Sequence, residues 1–182
     1  SIRGSRGYRN IEETWGVDWN GRLSDLEDQK EAYSRLRDNQ SRELLYQQHV
    51  DNLRFMSAAE DGYYPKPSNI YNALIMPAYN ESIEVIEPAL KSVLDTTYDK
   101  KHLIVVFAYE ERGGVDIDTT AKILKKKYGK QFHYFPIVKH PKDMPNDAVG
   151  KGGNITYEGK WLEQYLQKAE IALSDVVVTT MD

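Results

Sequence analysis

Beyond residue 70, short β-branched runs alternate with helix-length stretches, and this alternation constrains the fold more than any other feature. Apolar runs predict strands at Tyr71–Met76, Leu103–Ala108, Phe132–Val138 and Val176–Thr180. Helical stretches fall between them near Glu87–Leu94, Thr119–Tyr128 and Asn154–Leu173. Strands separated by helices predict a parallel sheet with right-handed crossovers. Pro88 suits a first helical turn, where its missing N–H costs nothing. Pro77 is expected to stop the first strand, because it cannot donate to a sheet ladder.

The first third of the chain follows a different period. Residues 1–21 are polar, with Trp15 and Trp19 as isolated apolar anchors, and read as irregular chain. Ser24-Asp-Leu-Glu27 matches a capping box. From there to about Glu60 no proline or glycine intervenes, and Leu23, Leu26, Tyr33, Leu36, Leu44, Leu53 and Met56 recur at roughly helical spacing. This predicts one long amphipathic helix or two broken ones. Gly62-Tyr-Tyr-Pro-Lys-Pro-Ser68 then forms a stiff linker. The expected organisation is a polar segment with an amphipathic helical extension over 1–66, followed by an α/β part over 67–182.

Composition narrows the function. A net charge of −4 gives no basic footprint, so no nucleic-acid partner is expected. Cysteine is absent, which removes disulfides, thiolate metal sites and cysteine nucleophiles and fits a reducing, cytoplasmic compartment. No run approaches a membrane span, and the start lacks the apolar core of a signal peptide. His49, His102, His133 and His140 show no metal-ligand spacing.

Candidate site residues cluster where strands end, since ligands of open α/β sheets bind beyond the carboxyl ends of strands. Pro77, Ala78, Tyr79, Asn80 and Glu81 follow the first strand. A small residue, an aromatic ring, an amide and a carboxylate suit a flat, hydrogen-bonding ligand such as a base, although an ordinary polar turn has the same composition. After the second strand, Glu110 or Glu111 could accept hydrogen bonds from a base or ribose, or could instead pair with Arg112. Asp182 follows the apolar strand Val176–Thr180, where hard-cation or ribose binding is a reasonable role. Gly150-Lys-Gly-Gly-Asn154 precedes a helix. Its glycines allow close backbone approach, and Lys151 adds a charge suited to a diphosphate. It lacks both the P-loop and the dinucleotide spacing.

In order, these segments resemble the family two glycosyltransferases of the GT-A fold. Pro77-Ala-Tyr-Asn-Glu81 matches the P-x-Y-N-E turn, Lys151-Gly-Gly-Asn154 the K-x-x-N loop, and Asp182 the first aspartate of D-x-D. The string Ile104 to Gly114 looks like a bacterial branch whose members are often membrane-associated. The resemblance covers residues 70–182 and implies a Rossmann-like GT-A half. It implies nucleotide-sugar binding by Pro77, Ala78, Tyr79, Glu81, Glu110, Glu111, Lys151 and Asn154. A divalent cation, manganese or magnesium, would sit at Asp182. The implied reaction is sugar transfer, from a UDP-sugar by expectation, to an unknown glycan or lipid acceptor. The family's second aspartate, catalytic base and acceptor half lie beyond Asp182, so the chain is expected to be the donor half of a longer enzyme, inactive alone. Two rivals remain: a nucleotidyltransferase, against which the Pro77–Glu81 turn argues, and a non-catalytic module that self-associates through its N-terminal helix.

Overall fold

The computed structural model describes residues 8, 11–142 and 151–181. The chain divides into two compact units, 1–69 and 70–182.

In the first unit, residues 11–15 are helical, in place of the irregular chain expected there. Three helices follow: α1 (Trp19–Asp25), α2 (Gln29–Leu36) and α3 (Tyr46–Ser57). Ser24 lies in the last turn of α1, so Ser24–Glu27 is not a capping box. The caps are aspartates instead. Asp18 accepts from the Gly21 N–H at 2.8 Å and Asp28 from the Glu31 N–H at 3.0 Å. The helical period therefore resolves into broken helices, with Leu45 at φ 59° opening α3. Asp25 ties all three together, accepting from Arg35 on α2 and lying 2.9 Å from His49 Nε2 on α3.

The second unit is an α/β layer structure. Its strands are β1 (Tyr71–Ala78), β2 (Leu103–Glu110), β3 (Ile137–His140) and β4 (Val176–Thr180). They form one parallel sheet in the order β3-β2-β1-β4. Helices α4 (Ile83–Leu94), α5 (Gly114–Tyr128) and α6 (Lys151–Lys168) make the crossovers. Ile86, Leu90 and Val93 of α4 and Ile117, Ala121 and Leu124 of α5 cover the face bearing Val105 and Phe107. Leu162 and Leu166 of α6 cover the face bearing Ile75, Val106 and Val138. The path runs outward from β1 to β3 and then returns past β1 to β4. A right-handed connection on the return leg requires the opposite face, which is where α6 lies.

Four details differ from the sequence expectations. β1 continues through Pro77 to Ala78, with Pro77 paired to Ala108. The Ile75 carbonyl accepts from Met181 on the β4 side, so Pro77, two residues on, also turns its nitrogen that way. The ladder with β4 ends at Thr180 opposite Ile75, so proline stops pairing on that side alone. The expected strand Phe132–Val138 is regular only from Ile137. Before it, Tyr134 and Pro136 accept from Val105 and Phe107, but Pro136 has no N–H to return. Pro88 lies inside α4, past its first turn, because the helix starts at Ile83 behind Ser82. Lys151 to Asn154 form the first turn of α6 rather than a loop before it.

α6 also ends earlier than expected. Glu170 takes φ 58°, the Ile171 N–H bonds the Leu166 carbonyl at 3.0 Å and the Glu170 N–H bonds that of Gln167. This is a Schellman closure, and Ile171 packs into the Leu162–Leu166 cluster beside it.

Candidate functional site

All four strands run the same way, so their carboxyl ends share one edge of the sheet. Pro77, Ala78, Tyr79, Glu81, Glu110 and Glu111 are thereby brought together. Strand order reverses between β1 and β4, the position at which open α/β sheets leave a crevice.

The β1 end is a built turn. Ala78 is buried, while the Tyr79 ring stands exposed. Glu81 Oε2 accepts from the Tyr79 N–H at 2.6 Å, so this carboxylate shapes the turn. The turn also rests on Gly113: a Cβ there would lie 1.8 Å from the Tyr79 carbonyl oxygen. Only glycine permits this approach between the segments that follow β1 and β2.

The two glutamates after β2 differ sharply. Side chains alternate along a strand, so Glu110 shares the α6 face with Val106 and Ala108. It is buried, and Arg112 Nη1 lies 3.8 Å from its Oε2. Glu111 is turned outward, accepting from the Lys142 N–H at 3.2 Å and pairing with Lys139 Nζ at 3.2 Å. These two contacts, the backbone N–H first, hold its carboxyl below the usual range. Tyr109 faces the other layer and donates to Asp118. Burial and that carboxylate push its hydroxyl up.

Two residues of this edge carried no signal in the sequence reading. His140 ends β3 in register with Glu110, is buried, and packs its ring 4.7 Å from that of Tyr157 on α6. Glu158 follows Tyr157 and is fully buried. Among the described residues neither of its carboxyl oxygens has a hydrogen-bond partner. Burial first, and the charge of Glu110 second, push its carboxyl up to about 8. The spacing Glu158-Leu162-Leu166, one residue per helical turn on the apolar stripe, is the pattern that could have exposed it.

Lys151 and Asn154 lie in the first turn of α6, and the N–H groups of a helix's first turn favour anions in general. Lys151 lies two turns before Glu158, roughly 10 Å along the axis. Asp182 and Gly150 lie outside the described residues. Met181, just before Asp182, donates to Ile75 at 2.9 Å, which brings the end of β4 against β1. Among the described residues no three metal-ligating side chains converge, and no helix is long and apolar enough to cross a membrane.

The edge thus belongs to an α/β protein with an all-parallel sheet whose carboxyl-end edge carries polar side chains. No family model, no curated protein and no solved structure matches the chain.

Proposed function

We propose that residues 70–182 bind a nucleotide-sugar donor, as the nucleotide-binding part of a glycosyltransferase with a GT-A-like half. One observation carries this reading. The Pro77–Glu81 turn and the Glu110–Glu111 pair share one strand-end edge, the turn beside the β1–β4 reversal of strand order and the pair on its other side, after β2.

The exposed Tyr79 ring offers a flat face for a base, beside the small, buried Ala78. Glu81 keeps the turn closed rather than reaching outward. Glu110 and Glu111 supply acceptors for base or ribose hydroxyl and amide protons. Arg112 keeps one guanidinium against Glu110. The first turn of α6, with Lys151 and Asn154, suits the diphosphate. Manganese or magnesium, if held through Asp182, would neutralise the departing diphosphate. The reaction served would be sugar transfer, with UDP-sugar as donor and a glycan or lipid as acceptor. The enzyme would work on the cytoplasmic side of the cell, in some settings against a membrane.

Chemical-shift mapping with UDP and magnesium on the full chain tests this. The expected result is saturable perturbation at residues 78–81, 110–112 and 152–153, lost in Tyr79→Ala. Perturbation confined to residues 19–57, or none at millimolar UDP, would overturn the reading. The former would move the working surface to the helical unit.

A further inference from the structure

Glu158 is the group on this edge that ordinary packing does not explain. It continues the stripe by which α6 covers the sheet, one turn before Leu162 and two before Leu166. A leucine there would complete an apolar contact at no electrostatic cost. Instead a carboxyl is enclosed with no exposure and no hydrogen bond to any described residue.

The charged surroundings are readily named. β2 contributes Glu110 on the same face, with Arg112 3.8 Å from it. β3 contributes His140, in register with Glu110. β1 contributes Ala73 and Ile75, with Tyr71 at the far amino-terminal end of the strand. The helix itself contributes Tyr157. Among the described groups, the Arg112 guanidinium answers the charge of Glu110. An ionised Glu158 would then be a buried anion with no hydrogen-bond donor and a second anion beside it. That state is costly enough that a carboxyl keeps its proton instead.

We propose that Glu158 is a positioning residue of the strand-end site: buried as a neutral acid beside Glu110, it seats α6 on β2 and β3 and leaves Glu110 to carry the charge that a ligand meets. Loss of its proton sets two carboxylates against each other beneath α6, two turns from its start. The helix turn proposed to receive the diphosphate is then displaced, and the edge gains a negative charge that opposes an anionic ligand. This ligand half rests on the donor-site reading above.

Two readouts on the full chain test the idea. Carbon-13 labelling of glutamate side chains allows carboxyl titration by NMR, with Glu158→Gln identifying its resonance by disappearance. Glu158 should titrate far above the other glutamates, and Glu110→Gln should move that titration downward. Titration of Glu158 together with the exposed Glu163 would overturn the proposal, as would indifference to Glu110→Gln. The second readout is calorimetry with UDP at pH 6.5 and pH 9. Wild-type affinity should fall severalfold at the higher pH, beyond any change in Glu158→Gln, with Glu163→Gln following wild type. Equal pH dependence in wild type and Glu158→Gln would overturn the positioning role. Absence of UDP binding by every variant at both pH values would sink the donor-site reading and the ligand half with it. The titration would still decide whether Glu158 holds its proton.

Discussion

At the scale of single residues, the strand-end site depends on two side chains turned inward and one side chain missing. The missing one is at Gly113, whose Cα faces the Tyr79 carbonyl so closely that a methyl would sit 1.8 Å from it. That neighbour is backbone and cannot rotate away. Gly113→Ala should therefore cost about 2 kcal/mol, the usual range for overpacking. It should also shift the Tyr79 turn and weaken UDP binding. Urea unfolding gives the first quantity, and a change below roughly 0.5 kcal/mol, typical of open surface positions, would show that the two segments do not touch. Legibility in the sequence follows the same division. Pro77 to Glu81 could be placed because a strand-ending proline and a polar cluster are local signals. Which of Glu110 and Glu111 turns inward could not, because every residue of β2 is buried and polar–apolar alternation is absent. Glu158 stayed hidden because one more glutamate in a polar helix resembles any solvated one.

At the scale of elements, the strands were legible and their neighbours less so. Val, Ile and Phe runs marked β1, β2 and β4 to within a few residues: β2 is buried throughout and reads as an apolar run, and β4 is legible from its β-branched residues although it is largely exposed. β3 was misplaced because Pro136 sits inside the run that suggested it, and the ladder becomes regular only beyond that residue. The capping box at Ser24 misled because Asp28, four residues on, competes for the same role and is the residue that reaches a backbone N–H. The end of α6 was misjudged for a subtler reason. A Schellman closure normally announces itself with glycine, and here glutamate holds the left-handed position. That position carries strain which glycine would relieve. Glu170→Gly should stabilise the chain by about 0.5–1 kcal/mol, the left-handed penalty less the extra chain entropy of glycine. Thermal unfolding reads this directly. A loss of stability would mean that the Glu170 side chain makes a contact outweighing its backbone strain.

For the whole molecule, the two faces of the sheet impose opposite pH slopes on stability. On one face, Glu87 of α4 accepts from Lys127 and, at 2.6 Å, from the Tyr128 hydroxyl at the end of α5. Those bonds hold its carboxyl down to about 2. A carboxyl lowered in the folded state contributes stability that is present above its unfolded value of 4.5 and is lost as pH falls toward 2. Glu84, Asp99, Glu111 and Asp118 are lowered as well and act in the same direction. On the other face, Glu158 is raised to about 8. Its folded form holds a proton that the unfolded chain has released above 4.5, so stability is complete below that value and is lost as pH rises to about 8. The two limbs meet on the acid side of neutrality, and the unfolding temperature should peak at about pH 5 rather than at pH 7. Glu87→Gln should flatten the acid limb, lowering the unfolding temperature above about pH 5 and leaving the slope of the alkaline limb unchanged. Glu158→Gln should flatten the alkaline limb and leave the acid one unchanged. The double variant should combine both effects, because the residues lie on opposite faces and share no partner. Circular-dichroism melts from pH 3 to pH 9 on the four proteins measure every limb. A Glu158→Gln curve running parallel to wild type from pH 5 to pH 9 would show that the buried acid does not set the alkaline limb.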